Sequence, residues 1–456
     1  MKEISINNLA RIIKAEPAPD IGDFVFGVST DSRTVKPGDC FFAIAGDNFN
    51  GHNFVKEAFA KGAVCAVVSE DVEAGPILKV DDTTKALGDL ARHYRQKAGY
   101  KVVAITGSVG KTTTRQIVYH VLSQHFRVSQ AQKNFNNQIG LPLTLLEADE
   151  KMQIVVAELG TNYPGEIAYL TRIASPDIAV ITSVCSAHLE GFGDLQTIIE
   201  EKLSISEGLQ PDGVFLINGD FDQLVSTCRA KSGRPAEFYT FGKSDGCDYR
   251  GHDIANTGFG SSFTIDNTQV NLPLAGPGNV DNALAAWAVC SRFGLSAADF
   301  AKAVKTQPPV SMRAELLQVG NLTVLNDCYN ANPASVKNAL DILANLDSDR
   351  KRRLVFICGD MAELGTQTEG LHAQIGPSIA KAGVKLLMTV GKYAKVAAEA
   401  AKASAEYGLK AKCFDDTLSA CNNLKDSIKD YDIILVKGSR TAKLEMAVEK
   451  LKRLFS

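Results

Sequence analysis

Val102-Val103-Ala104-Ile105-Thr106-Gly107-Ser108-Val109-Gly110-Lys111-Thr112-Thr113-Thr114 is an apolar run that breaks into a glycine-bearing turn and then into a helical pattern, with Ile117, Val118, Val121 and Leu122 recurring on one face. Strand, glycine turn and helix start form the arrangement that phosphate binding needs. Glycines let backbone N–H groups converge on the anion, and the helix N-terminus adds its positive dipole end. Lys111 supplies a cation for the β- and γ-phosphates and Thr112 a hydroxyl for Mg²⁺; Gly107, Ser108, Val109, Gly110 and Thr113 complete the cradle, and ATP is the expected nucleotide. The turn departs from G-x-x-x-x-G-K-[ST], because Ile105 stands where the first glycine belongs. The plainer alternative, a tight turn with a solvated lysine, is disfavoured by the correct flanks on both sides.

Outward from this stretch, between Lys101 and about Phe293, apolar segments at 102–106, 154–159, 178–184 and 214–217 alternate with amphipathic helices. Alternation of that kind marks a parallel sheet flanked by helices. Upstream, strand-like pieces at 24–28, 40–44 and 63–68 read as a small α/β unit, and 83–97 as a helix leading into the next one. Downstream, the glycine-rich stretch 256–262 and then 273–278 predict a β excursion before an alanine-rich helix at 279–292. Past Pro308-Pro309, strands at 323–326, 354–358, 385–390 and 433–436 separated by helical patterns give a third α/β unit. The expected architecture is therefore α/β in three domains: a small N-terminal domain (1–82), a central P-loop ATPase-like parallel-sheet domain (83–309) and a C-terminal Rossmann-like domain (310–456).

Composition narrows the function classes. A chain of 456 residues suits two to four domains, and 45% hydrophobic with 22% charged residues is ordinary for a globular protein. Forty-nine basic against 52 acidic residues, without a block of like charge, argues against a nucleic-acid partner. The longest apolar runs are strand-sized, the first residues are too polar for a secretory leader, and the ten cysteines contain no C-x-x-C pair. No membrane insertion, a reducing compartment and a cytoplasmic address are expected, without a zinc or iron–sulfur framework.

Two further segments carry chemistry. Glu158 closes an apolar strand on the side where α/β sheets bind ligands, so it either ligates Mg²⁺ or is a structural carboxylate paired with Arg172 or a backbone amide. The third strand runs into Ala187-His188-Leu-Glu-Gly-Phe-Gly193, and Asp194 is the expected N-cap of a helix whose apolar stripe is Leu195, Ile198, Ile199 and Leu203. In projection Lys202 falls inside that stripe, while Glu200 and Glu201 fall on the polar side. A buried ammonium is costly, so Lys202 snorkels, pairs with a carboxylate such as Glu158, or carries a modification. His188 is either a ligand or a loop histidine.

Taken together these residues resemble the Mur ligase family, ATP-dependent amide-bond-forming enzymes of peptidoglycan precursor synthesis. The resemblance extends through Gly276-Pro-Gly-Asn279-Val-Asp-Asn282-Ala283, Met312-Arg313-Ala-Glu315 and Asn326-Asp327-Cys-Tyr329-Asn330-Ala-Asn332-Pro333, and covers nearly the whole chain. Glu158-Leu-Gly-Thr-Asn162, His188-Leu-Glu-Gly-Phe-Gly193 and Gly359-Asp-Met-Ala-Glu-Leu-Gly365 look like the member that adds D-alanyl-D-alanine to UDP-MurNAc-tripeptide, and the Asp-Asn-Pro-Arg motif of the diaminopimelate-adding relative is absent.

The resemblance implies a set of roles. Lys202 would be carbamylated and would ligate a second Mg²⁺; Thr112 and Glu158 would hold the first, with Glu158 shared with His188 at the second. Asn279 and Asn282 would contact the nucleotide, and Arg313 and Asp327 would reach it from the third domain; the plainer alternatives are helix capping by the two asparagines and an Arg313–Glu315 pair. Asp31, Ser32, Arg33, Phe42, Gly51 and His52 would hold the UDP-sugar, and Asn134, Asn136, Asn137, Thr161 and Asn330 the sugar-peptide and dipeptide. Arg33 suits a pyrophosphate because its planar fork donates two parallel hydrogen bonds. A monomer is expected. A folylpolyglutamate-synthetase-like ligase and a nucleotide-dependent switch ATPase stand as rival readings.

Overall fold

The computed structural model describes residues 1–15, 23–46, 49–132, 134–186, 189–230, 237–349, 351–405 and 408–456. Gly27–Ser29, Asp39–Phe42, Cys65–Val68 and Ile77–Lys79 form, in that order, a four-stranded parallel sheet. The strand expected at 24–28 is divided. Phe24–Val25 pairs antiparallel with Ile4–Ser5, and the chain changes partners at Phe26, whose amide donates to the Gly38 carbonyl.

The helix Thr83–Lys97 has its expected bounds, because Asp82 caps it by accepting from the amides of Thr84 and Lys85 at 2.8 and 3.0 Å. It joins two units. At one end the Thr83 hydroxyl donates to the Ala43 carbonyl of the first unit; at the other, buried Arg95 donates to the carbonyls of Ala174 and Ser175 and pairs with Asp177 at 2.7 Å.

The central sheet has seven parallel strands in the order Val128–Gln130, Ile154–Glu158, Lys101–Thr106, Ile178–Ile181, Val214–Asn218, Tyr239–Gly242, Tyr249–Arg250. From Lys101–Thr106 the chain fills one side of the sheet and then crosses to the other. The crevice beyond the C-terminal ends of these strands is thus a topological switch point, where such sheets bind ligands. The strand expected to reach Val184 ends at Ile181, because Ser183 turns away to bond the phosphate loop. The β excursion is a three-stranded antiparallel sheet, His252–Asn256, Ser261–Ile265 and Thr268–Leu272, followed by the helix Pro277–Arg292.

The third sheet runs Glu315–Val319, Leu322–Asn326, Ile433–Lys437, Leu354–Gly359, Leu386–Val390, Lys410–Phe414; only its first strand is antiparallel. Its helix Pro333–Asn345, capped by Asn332 and Ser335, rests on the start of Pro277–Arg292. There the Gly278 amide donates to Asn338 Oδ1 at 2.9 Å, and a Cβ on Gly278 would lie 2.9 Å from that oxygen. The contact lets the third unit close over the central switch point. All ten cysteines are free and most are buried, as small apolar fillers. Among the described residues no helix is long and apolar enough to cross a membrane.

Candidate active site

The phosphate-loop helix, Lys111–Leu122, begins at Gly110, which has φ of +90° and no side-chain cap. A Cβ there would fall 2.1 Å from Asn282 Oδ1, so the position demands glycine for both conformation and space. The turn is braced from the neighbouring strand end: the Ser108 amide donates to the Ser183 carbonyl at 2.8 Å and the Val109 amide to Ser183 Oγ at 2.9 Å. Lys111 folds back to donate to the Gly107 carbonyl at 2.6 Å. Burial pulls the Lys111 ammonium below the ordinary lysine range, with Glu158 opposing and Arg313 adding to the fall.

Glu158, almost fully buried, is where three elements meet. Its Oε2 accepts from the Thr112 hydroxyl at 2.8 Å and lies 3.7 Å from Arg115 Nε; its Oε1 accepts from Asn136 Nδ2 at 2.9 Å. Burial pushes this carboxyl up, but Lys111, Arg313 and Arg115, aided by the Asn136 amide, outweigh it and hold it below the ordinary glutamate value. Arg172 pairs instead with Glu207 at 2.8 Å, and the ion pair that Glu158 does form is with Arg115. Arg115 was not apparent in the sequence; it is buried and also donates to the Ala131 carbonyl.

The helix Leu195–Leu203 starts at its expected cap, with Asp194 Oδ1 accepting from the Thr197 amide at 2.7 Å. Lys202 is 2% exposed, as its place in the apolar stripe requires. Among the described residues no hydrogen-bond or ion-pair partner reaches its ammonium, which lies 6.0 Å from the centre of the Phe192 ring; the expected alternative of a Glu158 pair is not formed. Burial first and Lys111 second lower the group to about 7, with Glu201 opposing. Glu201 corrects the helical projection, since it too is buried. Its carboxylate accepts from the amides of Gly165 and Ile167 at 2.7 and 2.8 Å, and the Thr161 hydroxyl lies 3.1 Å away. Glu201 thereby satisfies the N-cap amide and one first-turn amide of the helix Glu166–Ala174 and fixes the loop that carries Thr161.

From the third unit, Arg313 stacks on Tyr329 at 4.1 Å. Met312 and Ala314 flank it with φ of +57° and +50°, sparsely populated for residues other than glycine. Carboxylates hold that bend: the Met312 amide donates to Glu315 Oε2 and the Ala314 amide to Asp327 Oδ1, each at 3.0 Å. Glu315 therefore serves the backbone rather than pairing with Arg313. Asn279 donates to the Ala275 carbonyl at 2.8 Å and accepts from Asn282 at 3.2 Å, so neither asparagine caps the helix.

One cavity of about 970 Å³ collects most of these groups, but Arg115, Glu201 and Lys202 are not among the residues that line it. It brings together Ser108, Val109, Gly110, Lys111, Thr112 and Thr113 of the loop with Asn134, Asn136, Asn137, Glu158 and Thr161, with Asn279 and Asn282, and with Arg313, Asp327 and Asn330. Gly107 adjoins it through Lys111. The Asn137 side chain also accepts from the Gly140 amide at 2.9 Å, just before the helix Gly140–Glu147. His188 lies outside the described residues. The first-unit residues are apart from this cavity. Phe42 is fully buried in the core of its sheet and offers no surface to a ligand. His52 spends both ring nitrogens internally, on Asn50 Oδ1 at 2.6 Å and on the Ser69 amide at 2.9 Å. These two expected substrate contacts are corrected to structural roles. Asp31 and Arg33 form a forked pair, with Nε and Nη2 donating at 2.9 and 2.7 Å, while Ser32 and Gly51 are buried.

The sequence matches the Mur ligase family, catalytic domain, over residues 25–95, the Mur ligase middle domain over 105–290 and the Mur ligase, glutamate ligase domain over 312–440. It is 35% identical to the UDP-N-acetylmuramoyl-tripeptide--D-alanyl-D-alanine ligase of Bacillus subtilis (strain 168), covering 98% of each chain. It is 33% identical to the enzyme of that name from Escherichia coli (strain K12), covering 99% of each. A crystal structure of MurF from Acinetobacter baumannii superposes with a TM-score of 0.88 at 30% identity over 99% of both chains, and MurF ligase from Thermotoga maritima in complex with ADP at 0.81 and 26%, over 94% of this chain and 97% of that one. The folylpolyglutamate synthase of Mycobacterium tuberculosis shares only the fold, at 17% identity and 0.61. A phosphate loop facing a buried carboxylate, closed over by a third α/β unit, accords with these full-length matches, and the chain belongs to the Mur ligase family.

Proposed function

We propose that the chain joins D-alanyl-D-alanine to UDP-MurNAc-tripeptide at the expense of ATP, giving UDP-MurNAc-pentapeptide, ADP and phosphate for peptidoglycan synthesis. The observation that carries this reading is the convergence of the phosphate loop, Glu158 and the third unit's Arg313 and Asp327 on one cavity. A terminal carboxylate oxygen of the tripeptide attacks the γ-phosphorus, the bond to the ADP oxygen breaks, and an acyl phosphate forms. The dipeptide amine then attacks the acyl carbon, loses a proton and expels phosphate. The protein supplies no nucleophile. Lys111 and the amides at the start of its helix take charge developing on the transferring group, while Arg313 adds a second cation from the opposite wall. Closure of the third unit keeps water from the acyl phosphate.

The donor set suits Mg²⁺. Thr112 Oγ1 and Glu158 Oε2 offer two hard oxygens 2.8 Å apart. Lys202, lowered to about 7 and lacking a partner among the described residues, suits carbamylation. Thr112 and Glu158 would hold one ion, and Glu158, His188 and carbamylated Lys202 a second; when bound, the two supply charge neutralisation across the phosphates.

In this reading residues 1–82 bind the UDP moiety through Asp31, Ser32, Arg33 and Gly51. Residues 83–309 bind ATP through 107–113, Asn279 and Asn282, and present the sugar-peptide to Asn134, Asn136, Asn137 and Thr161. Residues 310–456 contribute Arg313, Asp327 and Asn330. The protein acts as a cytoplasmic monomer. The test is phosphate release from ATP, which is expected to require both UDP-MurNAc-tripeptide and D-alanyl-D-alanine. Turnover with neither would support a nucleotide switch instead.

A further inference from the structure

Ile433–Lys437 is an apolar, fully buried strand whose last residue is a lysine with only 2% of its side chain exposed. Such a group is costly unless its ammonium is paired on all sides. Three acceptors surround it: Asp327 Oδ2 at 2.6 Å, the Asn330 carbonyl at 3.0 Å and the Asp327 carbonyl at 3.4 Å. All belong to the turn that leads from Leu322–Asn326 into the helix Pro333–Asn345. The other oxygen of Asp327 accepts from the Ala314 amide, beside Arg313, and the Arg313 guanidinium lies over Tyr329 of the same turn. One nitrogen therefore anchors both the turn and the bent segment that presents Arg313 to the cavity. Core packing alone asks for none of this, because a methionine would fill similar volume without burying a charge.

Resting on the ligase reading above, we propose that Lys437 is a positioning residue of the reaction, fixing Asp327 and the 327–332 turn and, through them, the direction of Arg313. Its loss weakens use of ATP while leaving recognition of the UDP moiety intact, because Asp31, Ser32, Arg33 and Gly51, the groups assigned to that moiety, lie on the first unit.

The experiment uses the full chain and compares wild type, Lys437→Met, Asp327→Asn and the double variant, with kcat and each KM separated and melting followed in parallel. Lys437→Met is expected to lower kcat/KM for ATP by about thirtyfold and to leave the KM for UDP-MurNAc-tripeptide within about twofold. The double variant is expected to lie within about threefold of the weaker single variant, since both lesions disturb one turn. Leu435→Ala, a buried change on the same strand, is expected to lower the melting temperature and keep wild-type kinetics. Losses that multiply in the double variant overturn the proposal, as does a Leu435→Ala chain that reproduces the Lys437→Met profile, or Lys437→Met with wild-type constants. Should Lys437→Met not fold, Lys437→Arg decides: it keeps the charge but cannot seat one nitrogen among all three acceptors, and a loss in kcat/KM for ATP of about tenfold is expected, wild-type constants overturning the idea. A wild-type chain that releases no phosphate with all three substrates sinks the ligase reading, and this one with it, before any variant is compared.

Discussion

The hydroxyl of Thr112 donates to Oε2 of Glu158 across 2.8 Å, so the first turn of the phosphate-loop helix and the end of the adjacent strand meet at one point. Two oxygens converging beside bound phosphates are what a hard divalent ion requires. Thr112→Val keeps the volume and deletes the hydroxyl. The Mg²⁺ concentration for half-maximal phosphate release is expected to rise about tenfold with the fold intact. A titration that superposes on wild type would remove Thr112 from the metal site.

Lys111 donates to the Gly107 carbonyl at 2.6 Å, at the mouth of the turn where the terminal phosphates are expected to bind. Lys111→Ala should cut kcat by about 10²- to 10³-fold, the scale of losing one preorganised charged donor. Calorimetric affinity for UDP-MurNAc-tripeptide should stay unchanged. Equal loss of both would indicate misfolding.

Lys202, lowered to about 7 by burial and by Lys111, holds a neutral and nucleophilic amine above that pH. Activity is expected to fall in buffer stripped of CO₂, to return with bicarbonate, and to need more bicarbonate as pH drops below about 7. Lys202→Ala should lose most activity and regain part of it with short carboxylates, and an unimpaired variant would end the idea. Stability carries the same signature. Without CO₂ the unfolded chain binds more protons than the folded one between about pH 7 and the ordinary lysine value of 10.5, so resistance to urea should rise with pH through that window. Lys202→Met should flatten the rise.

Glu201 accepts from the N-cap amide and a first-turn amide of a neighbouring helix and stands by the Thr161 hydroxyl. Glu201→Ala strands those donors in a buried setting and should cost about 2–4 kcal/mol in urea unfolding. Unlike Lys202→Ala, it should gain nothing from added carboxylates. Rescue by them would mean that Glu201 itself serves the reaction.

What the sequence made legible was local. Residues 102–114 declare strand, turn and helix within a few positions, and the stripe around Lys202 follows from helical periodicity alone. The same projection misplaced Glu201, because its burial is set by amides more than thirty residues away, which no period can register. Arg115 and Lys437 were hidden for the same reason: each looks like a solvated charge until a distant carboxylate is brought beside it. The strands Val128–Gln130 and Tyr249–Arg250 were missed because short strands at the sheet margins carry no apolar run. Phe42 and His52 were assigned to a ligand where the fold needed packing and a bridge between two loops.

The seam between Gly278 and Asn338 places a restriction on how this chain can drift. A methyl group at 278 would collide with the amide oxygen 2.9 Å away, and shortening 338 alone would leave an N–H with no acceptor. A change at either position is felt at the other, although they stand 60 residues apart on different units. Gly278→Ala should therefore be tolerated better beside Asn338→Ala than alone, and descendants of this sequence should alter the two sites jointly or leave both as they are.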